Sequence, residues 1–198
     1  MLKHSKKIAA MQRAVGVFFS KIDPNPDHWT VLAIPASAVG FLLFISGQPL
    51  LALAAFAISI GTDAVDGAVA RQMGKASKAG AFLDGISDRF AEFFMIAGFF
   101  FVPLPSVLLE GAVWALLCIF LGTCMTSFVK AYSEHTGVLS HKSALGMGGI
   151  LERAERTVLI LLSIAAFAYN PLISTAILVL VAVLAAVTVV QRIMGTIS

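Results

Sequence analysis

Apolar residues in this chain come in long unbroken runs, unlike the alternation of strands or the one-sided stripes of soluble helices. Residues 28–62 contain no Asp, Glu, Lys or Arg, and neither do residues 157–191; each run is 35 residues long. At about 1.5 Å of rise per residue, a helix of that length would cross a hydrocarbon core of about 30 Å nearly twice. Turn residues interrupt both runs, Ser46-Gly47-Gln48-Pro49 in the first and Tyr169-Asn170-Pro171 in the second, so each reads as part of a helical hairpin. Residues 79–102 and 107–131 add two apolar stretches, separated by Pro103 and Pro105. The pattern predicts six membrane helices over roughly 29–46, 50–72, 79–102, 107–131, 151–169 and 171–193.

Ahead of these, Ile8, Met11, Val15, Phe18, Phe19 and Ile22 recur at helical spacing, with Lys7, Arg13 and Lys21 on other faces. This predicts an amphipathic helix lying in the membrane interface, ended by Asp23-Pro24-Asn25-Pro26-Asp27. The expected architecture is an all-α integral membrane protein forming one domain over 1–198, with an interfacial helix and linker at 1–27 and a six-helix bundle at 28–198. The first thirty residues do not carry a signal-peptide pattern, because Lys3, Lys6, Lys7, Arg13 and Lys21 interrupt them.

Composition supports lipid as the solvent. The chain is 59% hydrophobic and 13% charged, with a mean hydropathy of +0.92. A soluble domain is about 25% charged, so an ordinary globular domain and a disordered chain are both excluded. All 14 Lys and Arg fall on one side of the predicted topology, which the positive-inside rule makes the cytoplasmic face. Both termini are therefore expected there, in a multi-pass cell-membrane protein surrounded by membrane lipids, with no nucleic-acid partner. Cys118 and Cys124 lie in apolar stretches and form neither a disulfide framework nor a thiolate metal site, and the four His show no ligand spacing.

Against this background, the acidic residues stand out. Of 11 in the chain, Asp63, Asp66, Asp84, Asp88 and Glu92 fall within 30 residues of the second and third spans. A carboxylate inside a membrane helix costs several kcal/mol and is a functional-site hypothesis by default. Asp63 and Asp66 share one helix face, and Asp84 and Asp88 share another. A short turn with Gly74, Lys75 and Ser77 would bring the two acidic faces together at the cytoplasmic end. Carboxylates so gathered repel unless cations sit between them, and two Mg²⁺ ions about 4 Å apart, with Mn²⁺ as the alternative, are the natural occupants. The small residues Gly67, Ala68, Ala70, Gly80 and Ala81 leave the backbones open to close approach, and Arg71 and Lys75 follow. Together these describe a pyrophosphate site.

Residues 63–88, DAVDGAVARQMGKASKAGAFLDGISD, resemble the signature of the CDP-alcohol phosphotransferase family, D-x2-D-G-x2-A-R-x8-G-x3-D-x3-D. Asp63, Asp66, Gly67, Ala70, Arg71, Gly80, Asp84 and Asp88 fill every fixed position. The resemblance implies a six-helix homodimer that transfers a phosphoalcohol from a CDP-linked lipid to an acceptor hydroxyl, releasing CMP. It further implies Asp63, Asp66, Asp84 and Asp88 as metal ligands, with Asp88 also taking the acceptor's proton. Gly67, Arg71 and Ser77 would contact the cytidine diphosphate. So would Asp27, His28, Trp29 and Thr30, whose Pro26-Asp27-His28-Trp29-Thr30 segment is similar to the family's Pro-Asp/Asn-x-x-Thr element. Ala79 departs from the aromatic residue that many members carry.

For the acceptor, Lys130, Arg153, Arg156 and Arg192 all fall near the cytoplasmic face, where fixed cations suit a phosphate dianion. The segments Ser127–Ala131 and Ile150–Arg156 resemble elements of phosphatidylinositol and archaetidylinositol phosphate synthases, which implies inositol phosphate as acceptor. Other acceptors (glycerol phosphate, serine) and a soluble CDP-inositol donor stay open at this stage. A transporter is the reading from another class, and it predicts midplane charges and paired repeats that the sequence does not display. Arg89 and Glu92 are expected to pair within the third helix, and Phe93, Phe94, Phe99, Phe100 and Phe101 to face lipid.

Overall fold

The computed structural model describes residues 14–22, 25–75 and 77–197. The side chains of residues 26, 27 and 63 lie outside that description, and so do Ile8, Met11, Lys7 and Arg13 of the predicted interfacial helix. Helix α1 covers residues 14–20 of the described chain. It is followed by α2 (Pro26–Ile45), α3 (Pro49–Met73) and α4 (Lys78–Ala97), which runs into a 3₁₀ turn at Gly98–Phe100. Next, α5 (Gly111–Leu117), a π-helical stretch (Cys118–Met125) and α6 (Thr126–His135) form one continuous rod. Helices α7 (His141–Gly146), α8 (Arg153–Phe167) and α9 (Pro171–Ile197) complete the chain.

Local chemistry sets these boundaries. Helices α2, α3 and α9 each open on a proline, tolerated there because the first-turn N–H has no intrahelical acceptor to lose. Helix α3 stops at Gly74, whose φ of 63° is left-handed and whose N–H bonds to the Ala70 carbonyl. Ser77 then caps α4, its hydroxyl accepting the Gly80 N–H at 2.9 Å.

Each of the six predicted segments is helical, and among the described residues four helices are long and apolar enough to cross a membrane: His28–Ile45, Pro49–Met73, Gly111–His135 and Pro171–Ile197. The two others differ from these: α4 contains the five charges Lys78, Asp84, Asp88, Arg89 and Glu92, and α8, only 15 residues long, opens with Arg153, Glu155 and Arg156. The fourth segment starts at Gly111 and not at 107, because Val107 and Leu109 bridge across Leu108, which has a φ of 61°. The Trp114 indole N–H fastens this bend by donating to the Val107 carbonyl at 2.7 Å. The rod then reaches His135, and the stretch expected to be loop contains α7, capped by Ser140 through the Ser143 N–H at 3.2 Å.

Helix α2 packs extensively on both α3 and α4, which touch each other over a shorter stretch, and α8 packs mainly on α9. The core gathers Phe44, Phe56, Ile96, Phe99, Ile160, Ile164, Leu178 and Val181 from these elements. Phe99 is thus buried, not lipid-facing: the 3₁₀ turn swings its ring edge-on to Phe44 at 4.9 Å between centroids. Helix α1 sits on α3 beside the acidic motif. A Cβ on Gly16 would stand 2.6 Å from the Ala68 carbonyl oxygen, so only a bare backbone fits. Phe19 meets Trp29 at 5.2 Å, while Phe18 and Ile22 remain exposed.

Candidate active site

Two cavities are lined by successive stretches of α4, residues 80–84 and 88–95. The first, about 210 Å³, is walled by Thr30 of α2; Asp66, Gly67, Ala70 and Arg71 of α3; Lys75 and Ser77 of the turn; and Gly80, Ala81 and Asp84 of α4. The second, about 520 Å³, has a charged end formed by Asp88, Glu92, Glu152 and Arg153. Its apolar remainder comes from Ala33, Ile60, Ala91, Met95, Val158 and Leu161, with Ser59, Ala154 and Thr157 between.

Of the small residues singled out in the sequence, Gly67, Ala70, Gly80 and Ala81 line the first cavity, and Ala68 does not. Asp66 is buried, and its carboxylate accepts the hydroxyl of Thr30 from the first turns of α2. That bond fixes a desolvated carboxylate that would otherwise be costly to bury. Gly67 has no side chain to block the Arg71 guanidinium, whose Nη1 lies 3.4 Å from where a Cβ would stand. Asp84 enters from the opposite helix, half-buried. Two carboxylates and two cations, Arg71 and Lys75, therefore face one space. Such a set suits a diphosphate carried with hard cations.

The sequence-predicted residues divide between the cavities. Thr30, Asp66, Gly67, Arg71, Ser77 and Asp84 share the first. Asp88, one turn beyond Asp84, lines the second, where Arg153 reaches its carboxylate. His28 is exposed, and Trp29 packs on Phe19. Asp27 and Asp63 are the two whose side chains fall outside the described residues. Among the described residues, no group of three or more carboxylate, His or Cys side chains is gathered closely enough to hold a metal ion. The donor chemistry nevertheless fits Mg²⁺ or Mn²⁺, since Asp66 and Asp84 offer carboxylate oxygens and neither sulfur nor imidazole joins them.

The four cations assigned to an acceptor are held differently. Arg153 lies on the wall of the second cavity. Lys130 Nζ donates to the Leu145 carbonyl at 3.1 Å, and Arg192 Nε donates to the Gly148 carbonyl at 3.2 Å. Arg192 also donates through Nη1 to the Thr126 carbonyl. Arg156 is buried and turns to Glu92. The expected Arg89–Glu92 pair does not form. Arg89 instead donates to the Ser127 hydroxyl through Nε at 3.1 Å and Nη2 at 2.7 Å, with Nη1 3.9 Å from Asp88. The reason is direction: Arg89 leans toward the α5–α6 rod, whereas Glu92 faces α8. Sequence reasoning gave Glu92 no part in the site, although its place one turn after Asp88 on the same face was the available signal.

The family profile for CDP-alcohol phosphatidyltransferase matches residues 25–190. The archaetidylinositol phosphate synthase of Aeropyrum pernix is 29% identical over 184 residues, covering 93% of this chain and 89% of that protein. That of Methanothermobacter thermautotrophicus is 32% identical over 182 residues, 86% of each. The crystal structure of the Mycobacterium tuberculosis phosphatidylinositol phosphate synthase with manganese and citrate superposes with a TM-score of 0.80 at 24% identity, covering 94% of this chain and 89% of that one. The same enzyme with CDP-DAG bound gives 0.78, covering 94% of each. These structures share the fold. With the signature residues on facing helices and a profile spanning most of the sequence, the chain belongs to the CDP-alcohol phosphatidyltransferase family and is a transferase of phospholipid biosynthesis.

Proposed function

We propose that the protein transfers the phosphoalcohol of a CDP-linked lipid to a hydroxyl of inositol phosphate, releasing CMP. The observation that carries this reading is the succession of the two cavities along α4: Asp66, Asp84, Arg71 and Lys75 face one, and Asp88 with Arg153 faces the next. The names of the archaeal relatives and the CDP-DAG bound by the structural neighbour support the choice of donor and acceptor.

In this reading the cytidine diphosphate occupies the first cavity, with Ser77 and Gly67 leaving room for it and Arg71 and Lys75 meeting its phosphates. Asp63, Asp66 and Asp84, with Asp88, would hold two divalent cations, Mg²⁺ or the manganese found in the structural neighbour. Such cations, when bound, neutralise the diphosphate and the charge that develops on the leaving CMP. Thr30 keeps the Asp66 carboxylate aimed. The acceptor enters from the side of the second cavity, where Arg153 takes its phosphate and Lys130 and Arg192 can turn from backbone carbonyls to assist. Asp88 accepts the proton of the attacking hydroxyl as the new P–O bond forms and the bond to CMP breaks. The apolar depth of the second cavity accommodates lipid.

The same reading makes all six segments predicted from the sequence, from α2 to α9, membrane-spanning, with α1 at the interface, the basic face cytoplasmic, one domain in each protomer, and a homodimer as the assembly. Incubation of purified protein with CDP-lipid, Mg²⁺ and a panel of inositol phosphate, glycerol phosphate, serine and free inositol tests it. Inositol phosphate is expected to give the highest kcat/KM. Preference for glycerol phosphate or for free inositol overturns the acceptor assignment.

A further inference from the structure

The two arginines that open α8 have opposite surroundings. Arg153 lies on the wall of the second cavity, its side chain 43% exposed. Arg156, three residues on, is 2% exposed. Its guanidinium forks onto Glu92 of α4, Nε donating to Oε1 and Nη2 to Oε2, the latter at 3.0 Å. Its stem rests on the rod behind: a Cβ on Gly122 would come 2.9 Å from Arg156 Cδ and 3.8 Å from Ala185 Cβ of α9. Through this one side chain α8 meets α4 and the π-helical stretch. Gly122 belongs to the π-helical stretch, a winding that recurs beside functional sites because it shifts residues out of α-helical register.

Asp88 and Glu92 on α4 thus face Arg153 and Arg156 on α8 as two rungs. The outer rung lies at a cavity and can exchange the Asp88 carboxylate for another anion. The inner rung is buried, with Arg156 behind Glu92 and off the cavity lining, and a forked buried pair is geometrically specific, so losing one partner strands the other charge. Residues three apart on a helix are about 60° apart around its axis. Pinning Arg156 inward therefore fixes the rotation of α8 and with it the direction of Arg153.

We infer that Glu92 and Gly122 are positioning residues for acceptor recognition: they seat Arg156, and that seat aims Arg153 into the second cavity. Arg156 is then the keystone of α8, not a contact to the acceptor. This builds on the acceptor reading above and assigns a role to two residues outside the family signature.

The test compares full-length wild type with Glu92→Gln and Gly122→Ala in lipid, measuring acceptor KM, donor KM and calorimetric affinity for CDP in Mg²⁺. Each substitution is expected to raise acceptor KM at least about tenfold, by turning Arg153 away, while donor KM and CDP affinity stay within about twofold. Glu92→Asp, which keeps the charge, should recover part of the loss. Gly122→Ala keeps both charges and carries the test if Glu92→Gln does not accumulate. Unchanged acceptor KM, a parallel rise in donor and acceptor constants, or loss of folded protein in both variants overturns the inference. The acceptor is whichever phosphate compound the wild type turns over best. Failure of the inositol phosphate reading therefore shows in the wild-type kinetics, and failure of this inference shows in the variants alone; a wild type that uses no phosphate acceptor overturns both.

Discussion

The first cavity is built from Thr30 and a single contiguous stretch, residues 66–84, whereas the second draws on residues from Ala33 to Leu161 across four helices. The difference is physical. A diphosphate with its cations needs carboxylates, cations and bare backbone at short fixed spacings, which one helix–turn–helix can supply. An acceptor pocket beside a lipid needs a charged mouth and an apolar depth, and no single segment offers both. The first cavity is a local motif; the second is a product of packing.

Four substitutions separate the two. The largest effect is expected for Asp88→Asn, in the second cavity one turn beyond Asp84 of the first. It should lower kcat by about 10²- to 10⁴-fold with CDP affinity nearly unchanged, since the amide accepts no proton from the attacking hydroxyl. Near-wild-type turnover would remove Asp88 as the base. Next, Asp66→Ala should weaken Mg²⁺-dependent CDP binding on the order of 100-fold in calorimetry, as expected for a lost ligand. An affinity that holds in saturating Mg²⁺ would count against the first cavity as the nucleotide site.

Arg153→Ala sharpens the contrast from the other side. Losing a charge-assisted hydrogen bond of about 1.5 to 3 kcal/mol should raise acceptor KM by about 10- to 150-fold and leave donor KM alone. If steady-state kinetics show both constants rising together, the two cavities work as one site and the comparison collapses. The smallest effect belongs to Thr30→Val, which keeps the shape but removes the donor to Asp66. A loss of about 0.5 to 1.5 kcal/mol predicts an affinity for CDP with Mg²⁺ weaker by about 2- to 13-fold, and acceptor KM should not move.

The fold was legible where one residue type decides a boundary. Gly74 ends α3 because its left-handed φ suits glycine, and Ser77 starts α4 because its hydroxyl satisfies an orphan N–H. The bend at Leu108 was not legible, because a bridge between Val107 and Leu109 and a bond from Trp114 hold it, and neither partner announces the other in sequence. Phe99 is one of three consecutive phenylalanines with nothing in sequence to set it apart; Phe100 and Phe101 are exposed, and the 3₁₀ turn chooses which ring points inward.

By itself the sequence determined the apolar medium, the helical character of the long segments, and the family signature on the second and third of them. Each of these rests on short-range facts: uninterrupted apolar length, helical periodicity, and the cost of carboxylates in lipid. Tertiary structure decided which partner each charge takes. Arg89 goes to Ser127, Glu92 to Arg156, and Arg153 to Asp88, pairs separated by 38, 64 and 65 residues. Charge attracts without regard to sequence distance, so the pairing depends on how helices rotate as their apolar faces pack. That rotation, set around Arg156, divides four similar cations into one that lines the cavity, one that pairs with a buried carboxylate and two that hold carbonyls.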